Sequence, residues 1–568
     1  MLDLTQKPYD LNERQIEKLQ TLLKNMDVEA KIGQLFFVVG QDEDMVDIAQ
    51  FIQKYQPGGI MYRPDRAEKI KRELQVCQEN SQIPMFTAAN LEAGGNGIVS
   101  EGSLVGYPMQ IAATNDKKYA YELGRIAGYQ ANQVGVNMAF APIVDIDLNF
   151  KNPITNVRTF GSDKQRVLDF AKEEIKGFAK NQVIAAIKHF PGDGVDERDQ
   201  HLVSSVNSLS KEDWMASYGE IYQELINQGV PSVMIGHIML PAWERHYNPE
   251  LQDVEFLPAS LSKYLINGLL RERLNFNGLA LTDATPMLGY NYAMSRSEAL
   301  PATINAGIDM ILFNKNIDED YEIIRQAVLS GMISAERLDE AVLRILATKL
   351  AQNVMDEDCH LQYNFSKDLN LKVEEFQPIV QEIADKSITL VKHQVAEVLP
   401  LTPEKYPRIR LHLLSNKQSG GFNDNVSALN QLPKYLTEAG FEVSVYNPSK
   451  LDFYEIFESG VQQMEEKFDL ALYVANIENA SNQTTTRLDW ITLMAANAPW
   501  YLRDIPTVFA SVANPYHLFD IPVVPTFINA YTANEVTVQA LVDKLTGKSA
   551  FKGKSPVDPF VGQFDTRI

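Results

Sequence analysis

Between residues 10 and 350 short apolar runs alternate with amphipathic stretches, and no other feature constrains the fold as much. Eight runs stand out: GQLFFVVG (33–40), GGIMYR (58–63), IPMFTAAN (83–90), VNMAFAPIVDID (136–147), VIAAIKHF (183–190), PSVMIGHIM (231–239), GLALTDA (278–284) and IDMILFN (308–314). Strands of a parallel sheet read this way, because helices cover both of its faces. The intervening segments have helical spacing, as in LSKYLINGLLRERL (261–274), with Leu261, Leu265, Leu269 and Leu270 on one side. Eight strands alternating with helices over roughly 300 residues predict a (β/α)8 barrel, since eight parallel strands favour closure over an open doubly wound sheet.

The helix over 334–351 closes this region, with Ser334 as N-cap and Leu338, Val342, Ile345 and Leu346 on one face. A polar stretch follows, and then runs at 408–414, 441–446, 469–476, 506–514 and 523–529 alternate again with helical segments. The expected organisation is a barrel over 1–354, a linker over 355–385, and a smaller α/β sandwich with a mainly parallel sheet over 386–568.

Among 568 residues, 52 are Lys or Arg and 74 are Asp or Glu, a formal charge of −22. Such a chain repels phosphate backbones and anionic membranes, so neither nucleic acid nor a membrane is an expected partner, whereas neutral ligands such as sugars are unaffected. Its two cysteines, Cys77 and Cys359, cannot build a disulfide framework or a cysteine-based zinc site. No apolar run approaches a membrane span and the N-terminus lacks an apolar signal core, so a cytoplasmic location is expected.

The strand ends carry the polar residues: Asn90 with Glu92 beyond it, Asp145 and Asp147, Lys188 and His189, His237, Asp283, and Asn314. A barrel gathers all of these at one face, where active sites are built. The loop after strand five, KHFPGDGVDERDQH (188–201), sets Asp199 two residues before His201. A carboxylate at that spacing can hold one imidazole nitrogen while the other faces a substrate, which suits a general acid, although an idle solvated loop has the same composition. Asp283 at the end of an apolar strand reads as a nucleophile or as a group fixing the following loop. Arg158, Lys188 and His189 are cations able to pair with acids or hold hydroxyls, while His237 lies in an apolar run typical of a core histidine. Zinc on His189, His201 and His237 lacks any paired-ligand spacing, and SGGFN (419–423) lacks the glycines of a nucleotide loop.

APIVDID (141–147), NPITNVRTFGSD (152–163), KHFPGDG (188–194), Asp199-Gln200-His201, GHIMLPA (236–242), PASLS (258–262), LTDATPM (281–287) and AGIDMIL (306–312) together resemble glycoside hydrolase family 3, in its β-N-acetylglucosaminidase branch. The resemblance implies a retaining exo-β-N-acetylglucosaminidase without cofactor or metal, acting on a small oligosaccharide or amino-sugar glycoside. Asp283 matches the nucleophile and His201, polarised by Asp199, the acid/base. Arg158, Lys188 and His189 match residues that grip sugar hydroxyls, with Asp147 beside them and His237 expected behind the site. A phosphorylase, a β-glucosidase of the same family and a silent sugar-binding relative are the alternative expectations.

Three positions depart from the family pattern. Asp193 stands where a histidine is usual and brings a further negative charge towards His201. Gln200 stands where serine is common and is expected to act only as a spacer. The segment NLEAGGNG (90–97) lacks the family's sugar-binding aspartate, whose contact falls to Asn90 or Glu92.

Overall fold

The computed structural model describes residues 2–40, 45–362, 365, 368–415, 426–479 and 481–568. The chain divides into two compact units, one made of residues 1–105, 120–155 and 164–376, the other of 106–119, 156–163 and 377–568.

The first unit is built on eight parallel strands: β1 (Phe36–Val39), β2 (Gly59–Met61), β3 (Phe86–Ala89), β4 (Met138–Ala139), β5 (Ile184–Phe190), β6 (Ser232–Ile235), β7 (Leu279–Thr282) and β8 (Ile311–Leu312). They are hydrogen-bonded in the order β8-β1-β2-β3-β4-β5-β6-β7. A parallel bridge between Leu281 and Met310 brings the two ends of the sheet together and completes the barrel. Each strand lies inside one of the eight apolar runs, and nearly every strand residue is buried. The run at 231–239 divides, because Ile238–Met239 leaves the barrel to pair with Ser205–Val206.

The closing helix runs over Ala335–Ala351, with the Ser334 hydroxyl accepting from the Arg337 amide at 3.1 Å. Two arginines, Arg337 of this helix and Arg271, and a backbone amide converge on one buried carboxylate just before β8. Asp309 is completely buried and accepts from Arg271 at 2.7 Å, from Arg337 at 3.0 Å and from the Ala280 amide at 3.0 Å. Burial pushes its pKa up, but Arg271, Arg344 and Arg337 outweigh it and hold the group below the usual carboxylate range. The segment 261–274 winds more widely than the expected α-helix over Tyr264–Arg273, as in the bond from the Leu274 amide to the Leu269 carbonyl.

The second unit has six strands: β9 (Thr389–His393), β10 (Arg408–Ser415), β11 (Glu442–Val445), β12 (Leu470–Asn476), β13 (Thr507–Ser511) and β14 (Thr526–Asn529). Their order is β9-β14-β13-β12-β10-β11, parallel throughout except for β9 against β14. Alternate residues of the same strands feed two separate cores: Leu470, Leu472 and Val474 enter one, Ala471, Tyr473 and Ala475 the other. The sheet is therefore covered on both faces, as a parallel sheet requires.

Two features add detail to the expected organisation. The stretch 355–385 is not all linker, because a helix begins at Val373 and runs to Ser387. The segments 106–119 and 156–163, expected within the barrel region, belong to the second unit. The glycine-containing segment 419–423 lies outside the described residues.

Candidate active site

The C-terminal ends of the barrel strands place acids and cations in pairs. At the end of β5, the Lys188 ammonium donates to Glu92 at 2.7 Å and to Asn90 at 3.3 Å, both beyond β3. The next residue, His189, sets Nδ1 2.6 Å from Asp145, and its amide donates to the same carboxylate at 3.1 Å. In the following loop, His201 sets Nδ1 2.6 Å from Asp199, and its amide donates to the same oxygen at 2.8 Å. The Asp199 side chain is 1% exposed and that of His201 21%. The carboxylate thus holds the ring at Nδ1 and leaves Nε2 on the opposite side of the ring.

Two glycines make the loop possible. Gly192 has φ +117° and a Cβ there would lie 2.2 Å from the Tyr218 ring; Gly194 has φ +106° and its Cβ would lie 1.9 Å from the Ile146 carbonyl oxygen. Any side chain would displace the turn that carries Asp199 and His201.

Asp283 immediately follows β7 and accepts from the Ala284 amide at 2.7 Å. Burial pushes its pKa up, but the facing histidines, His189 first, with the Ala284 amide, bring it below the usual carboxylate range. His189 Nε2 lies 4.0 Å from its carboxylate. An ionised carboxylate in a largely dry pocket is a nucleophile without a competing water shell.

His237 does not face a sugar. It is completely buried, with Nδ1 2.7 Å from the Ser260 hydroxyl and Nε2 3.0 Å from the Ala284 carbonyl, so neither ring nitrogen is available to a substrate. Burial lowers its pKa to about 4, and the neutral ring donates to that carbonyl and holds the turn after Asp283. Gln200, expected as a spacer, is also fully buried. Its side chain accepts from the His237 amide at 2.7 Å and reaches Asp193 at 3.4 Å, while its carbonyl accepts from the Gly289 amide at 3.0 Å. Gln200 therefore ties the dyad loop to the turns after β6 and β7.

Asp193 binds the Asn152 amide group at 2.8 Å and the Gly194 amide at 2.7 Å, rather than His201. Burial, then Asp145, pushes its pKa up to about 6. Asp147 accepts from the Thr155 hydroxyl at 2.5 Å within the same loop region. Arg158 belongs to the second unit, where its charge acts on the half-buried Glu478, whose carboxylate also receives the Tyr107 hydroxyl.

Glu174 was not foreseen. It is 1% exposed, both carboxylate oxygens lack hydrogen-bond partners, and burial followed by the charge of Glu92 pushes its pKa well up. The signal lay in the sequence: Val167, Ala171, Glu174 and Phe178 share the buried stripe of helix Lys164–Ala179. Among the described residues no group of three His, Cys, Asp or Glu side chains is placed to hold a metal ion.

Residues 27–348 match the family profile described as the glycosyl hydrolase family 3 N terminal domain. A protein of Cellulomonas fimi named β-N-acetylglucosaminidase/β-glucosidase is 41% identical over 569 residues, covering 100% of both chains. A solved structure described as β-glucoside phosphorylase BglX is 42% identical, covers 99% of both chains and superposes with a TM-score of 0.92. A family 3 β-N-acetylglucosaminidase from Paenibacillus sp. is 27% identical, with a TM-score of 0.77 over 94% of this chain and 99% of that one.

Proposed function

The chain belongs to glycoside hydrolase family 3, and we propose that it cleaves terminal β-glycosides of N-acetylglucosamine and glucose with retention of configuration, through a glycosyl ester on Asp283. The observation that carries this reading is the separation of roles at the barrel mouth: an ionised, buried Asp283 beside a histidine that its own carboxylate, Asp199, holds.

In the first step an Asp283 oxygen bonds to the anomeric carbon, the glycosidic bond breaks, and the proton on His201 Nε2 passes to the leaving oxygen. In the second, an acceptor oxygen attacks the anomeric carbon, its proton passes to Nε2, and the ester bond breaks to restore Asp283. Lys188, with Glu92, and His189, with Asp145, form a dry polar floor suited to sugar hydroxyls, with the exposed Asn90 at its edge. The choice of sugars follows the name of the Cellulomonas fimi relative.

Water is the acceptor that the family name implies. Phosphate is favoured by the full-length likeness to the β-glucoside phosphorylase. The chemistry agrees: once Asp283 is esterified, the carboxylates Glu92, Asp145 and Asp199 each face a lysine or histidine, and the acid/base is not an anion. An incoming phosphate then meets a neutral imidazole, not a carboxylate, in the acid/base position.

The test uses 4-nitrophenyl glycosides of both sugars in phosphate-containing and phosphate-free buffer, with products assigned by NMR. A β-configured sugar 1-phosphate that requires phosphate is expected. Free sugar at equal rates in both buffers returns the reaction to hydrolysis, and no release from either glycoside overturns the reading.

A further inference from the structure

Around His201 the surface changes character. The side chains of the polar floor are nearly dry: Lys188 is 4% exposed, His189 6% and Asp283 13%, against 21% for His201. The residues next to His201 on the outward side are apolar and open to solvent. Leu202 is 39% exposed, Val203 38%, Leu288 50% and Tyr292 42%.

These four belong to two loops laced together at the dyad. The Leu288 amide donates to the His201 carbonyl at 3.1 Å, and the Leu202 and Val203 amides both donate to the Asp199 carbonyl at 3.0 Å. Leu288 and Tyr292 are one helical turn apart, joined by a 3.0 Å bond from the Tyr292 amide to the Leu288 carbonyl. The charged groups of the loop are paired, Arg198 with Asp196 at 2.7 Å and Glu197 with Lys151 at 3.2 Å, and the Arg198 charge also reaches Tyr292. Folded chains seldom leave several apolar side chains open together, and where they do the patch is commonly a binding surface.

We propose that Leu202, Val203, Leu288 and Tyr292 form the aglycone platform, and that it takes apolar alkyl or aryl aglycones in preference to a second sugar. The inference rests on the proposed role of His201, because the group that protonates the leaving oxygen must face the aglycone. An alkyl or aromatic group laid on this rim covers apolar surface, whereas the hydroxyls of a second sugar meet four side chains that offer one phenol between them.

Methyl, butyl and hexyl β-D-glucosides provide the test, since their leaving alcohols are similar in acidity and differ mainly in apolar area. Cellobiose serves as the sugar-aglycone comparison. In the unmodified protein kcat/KM is expected to rise from methyl to hexyl by about ten-fold, a fraction of what full burial of each added methylene would give. Cellobiose should fall below hexyl glucoside. In Leu288→Ser and, separately, Tyr292→Ser, the hexyl-to-methyl ratio is expected to shrink to about three-fold or less. A ratio near one in the unmodified protein, or one that neither variant alters, overturns the platform while leaving the reaction standing. Failure to turn over any β-glycoside, methyl glucoside included, overturns the reading of His201 and the platform with it.

Discussion

In the proposed reaction Asp283 and His201 divide the work that many glycosidases give to two carboxylates, and the division has consequences for single substitutions. Asp199→Asn removes the anion behind His201 while keeping an oxygen for its amide. Turnover of alkyl glycosides should fall by about 10²–10⁴-fold. Aryl glycosides, whose leaving group needs little protonation, should lose much less, and paired kinetics on the two classes would check this. Asp193 offers a second test, through stability. Its folded pKa is raised to about 6, above the ordinary value of about 3.9, so between those limits the folded state binds more protons than the unfolded chain. Stability from this group therefore falls as pH rises through that window, and its cost is complete above pH 6. Asp193→Asn should raise the melting temperature above pH 6, with the gain fading towards pH 4, as scanning calorimetry across that range would record.

At the scale of elements, the eight barrel strands were legible because each is a continuous apolar run ended by a polar residue, and a parallel strand buried on both faces leaves little else to read. Strand β9 was missed because it lies at the sheet edge, where Leu390 and Val391 are only partly buried and Lys392 interrupts the apolar pattern. Helix Pro108–Ala113 illustrates another limit: it is buried on every side, so its sequence carries no amphipathic signal to say which core it joins. The dyad could be read from its spacing, but the roles of Gln200 and His237 depend on hydrogen bonds across loops that are distant in sequence. Asp309 sits at a junction of elements in the same way. Asp309→Ala would leave Arg271, Arg337 and Arg344 without their shared counter-charge and should cost about 3–5 kcal/mol. Because the carboxylate's pKa is depressed, its contribution is present above the unfolded pKa and is lost as pH falls through the folded one. Denaturant melts of the variant and parent at pH 7 and pH 3 would give a large gap at the first and a smaller one at the second.

For the whole molecule, the acidic net charge excluded polyanionic partners in general but said nothing about a small anion at a built site, where local pairing decides. The central claim is a covalent glycosyl ester on Asp283. Incubation with 2-deoxy-2-fluoro-β-D-glucosyl fluoride, followed by proteolysis and mass spectrometry, tests it most directly. The account predicts one fluoroglucosyl group per chain, on the peptide that contains Asp283, and none in Asp283→Asn. A label on any other residue, or inactivation without added mass, would contradict it.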